Sequence, residues 1–194
     1  MKIAGIVAEY NPLHTGHLYH LNKTRELLGE DAAIVCVLSG NFTQRGDFAI
    51  FEKHARAEAA VLCGADLVLE LPLPWAISSA EGFAFGAVSI LNSLGIVTHL
   101  SFGSETGCVE PLVRAADFLV SGRSDELIKN ELQKGISFAH ARQAAALNAL
   151  GETAHVLKSP NNILGVEYIK ALKNLNSSIQ PLTFKRSGAG HDSE

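Results

Sequence analysis

The chain has 194 residues, of which 47% are hydrophobic and 19% are charged, and its formal net charge is −4 at pH 7. This length predicts one domain with an ample core, and the mildly acidic balance excludes an overall basic surface of the kind that binds nucleic acids. The N-terminal apolar run is too short for a signal peptide, and three scattered cysteines without CxxC or zinc spacing favour a reducing, cytoplasmic setting.

The chain opens with a predicted strand, loop and helix. The apolar run from Lys2 to Ala8 is typical of a buried strand. After a polar loop, Leu18, Leu21 and Leu28 recur at helical spacing, and charged residues lie off that stripe. The predicted order is therefore a strand, a loop and an amphipathic helix.

The start of this helix is a predicted phosphate site. Thr15 is the predicted N-cap, so Gly16 and His17 fall in the first turn, where unpaired N–H groups and the helix dipole favour anions. Gly16 lets a phosphate approach the backbone closely, and His14 and His17 are spaced so that both imidazoles can reach the same spot. Solvated surface histidines or a two-histidine metal site are the alternatives that the residues leave open.

Strands and helices then alternate as far as residue 102. The predicted elements are a strand at 32–38, a helix at 52–63, a strand at 65–71, a helix at 80–94 and a strand at 96–102. Ala55, Ala59 and Leu62 are the predicted core face of the helix at 52–63. Pro72 and Pro74 are expected to exclude a helix just after the strand at 65–71.

The pattern changes to helices after residue 108. We predict helices near 109–120, 124–134 and 137–150, and these form an insertion at about 109–158. A further helix opens at Ser159-Pro160, and the last strand is predicted from Ile179 to Lys185. The fold class is therefore α/β: a doubly wound, parallel five-stranded sheet with a helical insertion before the last strand.

Three loops are expected to meet at one edge of this sheet. They are the loop after the first strand, the polar loop 39–47, and the turn 102–105. Ligands of open α/β sheets bind beyond the carboxyl ends of the strands, so this edge is the predicted site.

The chain continues past Arg186 into a glycine-rich tail. We expect it to be the N-terminal part of a longer chain, the alternative being a natural end with a frayed tail.

Several segments together indicate a particular family. They are GIVAEYNPLHTGHLYHL, LSGNFTQRGDFAIFEKHARAEAAVLCGADLVLELP, SSAEGFAFGAV, LSFGSE, SPNNILGVEYIKAL and FKRSGAGHD. The HTGH segment is similar to the HxGH signature of the nucleotidyltransferase superfamily, whose fold is Rossmann-like. In this order and spacing, all the segments resemble the tRNA(Met) cytidine acetate ligase family over essentially the whole chain.

The resemblance implies an enzyme that activates acetate with ATP as acetyl-adenylate and then acetylates N4 of the wobble cytidine of elongator tRNA(Met). It implies that residues 1–194 are the ATP-binding domain, without the family's C-terminal domain. His14 and His17 are the implied catalytic residues. The implied ATP-binding residues are Val7, Ala8, Glu9, Tyr10, Asn11, Pro12, Leu13, His14, Thr15, Gly16, His17, Leu18, Tyr19, His20, Gly103, Asn161, Asn162 and Arg186.

The candidates for the acceptor side are residues of the polar loop 39–47. A base of a single-stranded loop is usually bound by stacking and edge hydrogen bonds, so Phe42, Gln44 and Arg45 are the candidates for contact with the tRNA or the carboxylate. A pairing of Arg45 with Asp47 that only holds the loop is the alternative. We expect Mg²⁺ to accompany the leaving pyrophosphate, although the sequence contains no dedicated carboxylate cage.

Two other functions remain open at this point. The first is a small-molecule adenylyl- or cytidylyltransferase, which shares the HxGH start and needs about this chain length. The second is a nucleotide-binding remnant without catalysis, because the family pattern continues beyond the end of this chain. The oligomeric state is not predicted.

Overall fold

The computed structural model describes residues 1–186 and is built on a five-stranded sheet in which every neighbouring pair of strands is parallel. The strands are β1 (Ile3–Ala8), β2 (Ala33–Ser39), β3 (Leu67–Leu71), β4 (His99–Ser104) and β5 (Gln180–Lys185). Their order across the sheet is β3-β2-β1-β4-β5, so the winding reverses between β1 and β4. The predicted parallel five-stranded sheet is confirmed, and the tail at 187–194 lies outside the described residues.

Helices connect the strands and fill the predicted insertion between β4 and β5. They are α1 (Thr15–Leu28), α2 (Lys53–Leu62), α3 (Leu73–Ala76), α4 (Ala80–Ser93), α5 (Val109–Val120), α6 (Gly122–Leu132), α7 (Phe138–Leu150) and α8 (Pro160–Asn174). A 3-10 segment, Gly151–Lys158, joins α7 to α8. Within residues 1–186, no helix is long and apolar enough to cross a membrane.

Two separate cores lie on the two faces of the sheet. On one face, Leu21 of α1 and Ala60 of α2 pack against Ile6 and Ile34 of the central strands. On the other face, the larger core joins α4, α5 and α8 to alternate residues of the same strands. Because both faces are covered by helices, the prediction of a doubly wound sheet is confirmed.

The predicted core face of α2 was wrong. Ala55 and Leu62 are exposed, and the residues that α2 buries are Arg56 and Ala60. Hydrophobic periodicity treats an arginine as a surface residue, but backbone carbonyl oxygens surround this guanidinium and allow its burial. The helix is therefore rotated relative to the prediction.

The expectation that prolines exclude helix after β3 was also wrong. Pro72 is the N-cap of the short helix α3, and Pro74 is its second residue. Neither position requires an intrahelical N–H donor, so both prolines fit a helix start. Trp75 of α3 then packs on Gly86 of α4, where a β-carbon would lie only 2.5 Å from Trp75 Cγ.

Candidate functional site

A tightly folded loop, residues 9–14, leads from β1 into α1, and we call it the first loop. Tyr10 has a positive φ of 48° and is almost fully buried. Its hydroxyl lies 3.7 Å from Cys36 Sγ, and its ring centroid lies 4.7 Å from that of His17. Tyr10 therefore supports one of the two predicted catalytic imidazoles from within the core.

The two histidines cap the start of α1 reciprocally. The backbone N–H of His14 donates to His17 Nδ1 at 3.2 Å, and the backbone N–H of Gly16 donates to His14 Nδ1 at 3.1 Å. The rings stack with their centroids 3.8 Å apart. The N-cap is therefore His14 and not Thr15 as predicted, because an imidazole nitrogen here takes the acceptor role that a hydroxyl usually fills.

Gly16 makes room for an imidazole. A β-carbon at this position would lie 2.9 Å from His14 Cε1, which is closer than real contacts allow. The glycine therefore lets the His14 ring fold back over the first turn of α1. The prediction that Gly16 leaves the backbone open to a phosphate applies only when this ring is turned aside.

His17 is a neutral hydrogen-bond donor at physiological pH. Its partial removal from water, with smaller effects of His14, His20 and Arg186, lowers the pKa of His17 to about 4. Since Nδ1 accepts the N–H of His14, the proton of the neutral ring is on Nε2. The same reasoning places the proton of a neutral His14 ring on Nε2.

His20 faces the sheet and joins α1 to β4. Its Nε2 lies 3.2 Å from Ser101 Oγ, and Thr24 Oγ1 lies 2.7 Å from the same hydroxyl. Removal from water lowers the pKa of His20 to about 4, with the hydrogen bond to Ser101 opposing that change. His20 is half-buried, and its contact with the buried hydroxyls of Ser101 and Thr24 positions α1 on the sheet.

A second group of residues at the same edge of the sheet comes from the turn after β4 and the start of α8, and we call it the opposite wall. The Glu105 carboxylate accepts the N–H of Asn161 at 3.1 Å and the N–H of Asn162 at 2.7 Å, and it also accepts Asn161 Nδ2 at 2.8 Å. Burial opposes ionisation, but these hydrogen bonds outweigh it and the pKa of Glu105 is lowered. Glu105 therefore caps α8 from another part of the chain.

The two predicted asparagines of this wall have different roles. Asn162 is buried, and its Oδ1 accepts the N–H groups of Glu105 and Thr106 at 3.0 and 3.2 Å, so it holds the turn. Asn161 Oδ1 accepts Arg186 Nη1 at 2.9 Å. The side chain of Arg186 crosses Gly103, where a β-carbon would lie 2.8 Å from Arg186 Cγ.

A second loop, residues 40–52, lies against the first loop and carries the predicted acceptor-side residues. The backbone N–H of Gln44 donates to Glu9 Oε1 at 2.6 Å. Phe42 stacks on Phe48 with ring centroids 4.9 Å apart, and Arg45 is exposed. No ion pair joins Arg45 to Asp47 in the described part of the chain, so that alternative is not supported.

Sequence reasoning missed two residues of this edge, Glu105 and Arg56. Glu105 falls in the predicted turn 102–105 without a role of its own, and its partners lie 56 and 57 positions away. Arg56 is not part of the core face predicted for the helix at 52–63. Among residues 1–186, no group of three or more His, Cys, Asp or Glu side chains could hold a metal ion.

Comparison with known proteins identifies a family. A family model described as HIGH Nucleotidyl Transferase matches residues 1–194. The chain is 47% identical over 199 residues to the tRNA(Met) cytidine acetate ligase of Clostridium novyi (strain NT), covering 100% of this chain and 50% of that protein. It is 48% identical over 193 residues to the protein of the same name from Caldanaerobacter subterraneus, covering 97% of this chain and 48% of that one.

The fold matches solved structures of similar sequence. Thermotoga maritima TmcAL bound with alpha-thio ATP superposes with a TM-score of 0.93 at 45% identity, over 97% of this chain and 47% of that chain. The apo form of the same protein gives a TM-score of 0.95 at 44% identity, over 100% of this chain and 47% of that chain. The present chain thus spans about half the length of the relatives it matches.

Proposed function

Because the chain belongs to the HIGH nucleotidyl transferase family, we propose that it binds ATP across the first loop and α1 and activates acetate as acetyl-adenylate. The acetyl group then passes to N4 of the wobble cytidine of elongator tRNA(Met). The observation that carries this proposal is the stacked pair of imidazoles, His14 and His17, on the first turn of a helix that follows the first strand. The similarity to a TmcAL bound with alpha-thio ATP supports it.

The chemistry of activation requires positioning and charge stabilisation. Acetate has a pKa near 4 in the manner of other carboxylates, so at neutral pH it is already a nucleophile and needs no base. Its oxygen attacks the α-phosphorus, and the bond to the pyrophosphate oxygen breaks. The Nε2–H groups of His14 and His17 donate hydrogen bonds to phosphate oxygens as charge develops there, and the positive end of α1 adds to that stabilisation.

The opposite wall supplies a cation. Arg186 contributes a guanidinium to the same region as His17, whose pKa is lowered mainly by burial and to a smaller extent by Arg186. Because Gly103 has no side chain, the side chain of Arg186 can lie across it, and Asn161 accepts a hydrogen bond from the guanidinium. We assign Gly103, Asn161 and Arg186 to the binding of the nucleotide. Asn162 is assigned to the turn that supports them.

Mg²⁺ is proposed only as a companion of the nucleotide. Mg²⁺ commonly keeps several waters and binds through substrate phosphates, so phosphate oxygens of the nucleotide are its proposed ligands.

The acceptor side is proposed to be the second loop. Gln44 and Arg45 offer hydrogen-bond donors, and Phe42 with Phe48 offers an aromatic surface, which together suit a base from a single-stranded loop. Attack by the exocyclic N4 amine on the acetyl carbonyl releases AMP. We propose a cytoplasmic location, where tRNA substrates are present.

Pyrophosphate exchange tests the first half of this reaction. The 194-residue chain should incorporate labelled pyrophosphate into ATP only when acetate is present. His17→Ala should reduce that rate by about 10²–10³-fold, because one donor to the developing charge is lost. His155→Ala, which removes an exposed histidine from the 3-10 segment, is the matched control and should leave the rate unchanged.

Other outcomes identify the alternatives. Exchange that depends on a phosphorylated metabolite, and not on acetate, would favour a small-molecule adenylyl- or cytidylyltransferase. ATP binding without exchange would favour a nucleotide-binding remnant. Unaltered exchange in His17→Ala would contradict the assigned role of the imidazole pair.

A further inference from the structure

Arg56 is a buried cation at the carboxyl edge of the sheet. Arg56 is 2% exposed, and its guanidinium extends from α2 toward the first loop and the end of β2. Nε donates to the carbonyl of Phe51 at 3.1 Å, and Nη2 donates to the carbonyl of Ser39 at 3.0 Å. The carbonyl oxygens of Glu9 and Gly40 accept two further hydrogen bonds from the same guanidinium.

These four carbonyl oxygens belong to three segments that must be placed relative to one another. Glu9 opens the first loop, Ser39 and Gly40 end β2 and open the second loop, and Phe51 ends the second loop. Two further bonds of 2.6 Å fasten the loops together, from the Gln44 N–H to Glu9 Oε1 and from the Ile50 N–H to Asn11 Oδ1. A single side chain therefore lies at the point where the two loops meet.

The hydrogen bonds of the Arg56 guanidinium indicate that this side chain positions backbone segments. Burial lowers the pKa of Arg56, and the charges of Glu9 and Glu70 oppose that change. No carboxylate lies within ion-pair distance of it among residues 1–186. A buried charge is costly unless it is fully hydrogen-bonded, and a planar guanidinium can donate to several carbonyls in fixed directions. A lysine ammonium has three donors on one atom and cannot span these segments.

We propose that Arg56 is a positioning residue that holds the second loop in register with the first, and so sets the acceptor side of the site against the nucleotide side. This inference rests on the proposed function for its kinetic consequence. Its structural part, the fastening of the loops, does not depend on which reaction the site performs.

Arg56→Lys tests the proposal because it keeps the charge and changes the geometry. Hydrogen exchange of the Gln44 and Ile50 amides should accelerate by about tenfold or more, as expected when a local segment opens. The second loop also carries Arg45, a candidate for contact with the acetate carboxylate, so acetate-dependent pyrophosphate exchange should fall by about 10²-fold through kcat, the size expected from a small misplacement of reacting groups. The Kd for ATP should change by less than about threefold. Arg25→Gln, which removes a surface partner of Asp66, should change none of these quantities.

Three other outcomes would overturn the proposal. If the Gln44 and Ile50 amides of Arg56→Lys exchange as slowly as in the wild type and the activity is normal, only the charge matters. A loss of activity without faster amide exchange, or faster amide exchange without a loss of activity, would show that the fastening of the loops does not set the activity. A wild-type protein without exchange activity would refute the proposed function, and the amide protection would still test the fastening.

A second variant covers the case in which Arg56→Lys does not fold. Asn11→Ala removes one fastening bond and leaves Arg56 in place. The Ile50 amide should then exchange faster while the Gln44 amide stays protected, because Arg56 and Glu9 still hold that part of the loop. Equal loss of protection at both amides would show that Arg56 does not hold the loop.

Discussion

Glu105→Gln should destabilise the protein strongly at neutral pH and less so in acid. The wild-type carboxylate accepts three hydrogen bonds, two from the backbone N–H groups of Asn161 and Asn162 and one from Asn161 Nδ2. The amide of glutamine keeps one acceptor oxygen and turns an NH₂ group toward one of the donors. The start of α8 then loses both a hydrogen bond and a balancing charge.

The magnitude follows from these losses. A hydrogen bond to a charged group contributes about 1.5–3 kcal/mol, and a charge at a helix terminus contributes about 0.3–1 kcal/mol. Because Glu105 is partly exposed, we take a total near the lower end, about 2 kcal/mol. For a protein of this size, that corresponds to a fall in Tm of about 4–8 °C.

The pH dependence distinguishes this cause from a packing defect. The pKa of Glu105 is lowered in the folded protein, so its stabilisation is present in full above the unfolded value of about 4.3 and is lost as the pH falls through the folded pKa. Thermal unfolding by circular dichroism should show a Tm difference near pH 7 that narrows below about pH 4. Glu126→Gln, at an exposed position on α6, is the control. A constant difference at every pH would refute the reasoning.

Three further variants test other parts of the structure. Gly165→Ala would place a β-carbon 2.6 Å from Phe102 Cε2, and chemical denaturation should show a loss of about 1–3 kcal/mol; an unchanged midpoint would contradict the contact. Ser39 Oγ is buried without a hydrogen-bond partner among the described residues, so Ser39→Ala should alter the free energy of unfolding by less than about 0.5 kcal/mol in the same assay. The pKa of His20 is about 4 when folded and about 6.5 when unfolded, so the unfolded state binds more protons between these values and stability falls as the pH drops through them. His20→Asn should flatten that part of the stability curve, and a profile parallel to the wild type would exclude His20 as its source.

The sheet could be predicted because its information is local. Apolar runs such as Ile3–Ala8 and Ala33–Ser39 indicate strands from neighbouring residues alone, and the helices between them favour parallel pairing. The edge that carries the loops follows from that pairing alone. The same reasoning predicts a phosphate site at the start of α1, which follows the first strand after one short loop, and that site stays a prediction.

The wrong or missed predictions share one physical cause, which is that they depend on side-chain contacts that helix and strand propensities do not report. Arg56 is buried because carbonyl oxygens from the first loop, the end of β2 and the second loop surround it, and no periodicity reports that. Glu105 caps a helix that begins 55 residues later, which is evident only once β4 and α8 are adjacent. The N-cap shifted by one residue because the His14 imidazole competes successfully with the hydroxyl of Thr15.

The starts of α1 and α8 meet the same edge of the sheet, but the chain treats them differently. The Glu105 carboxylate already compensates α8, whereas two imidazoles cap α1 and its first turn contains no acidic residue. For the nucleotide that we propose as ligand, the consequence is that α1 would attract its phosphates through the helix dipole, whereas the start of α8 would offer the guanidinium of Arg186.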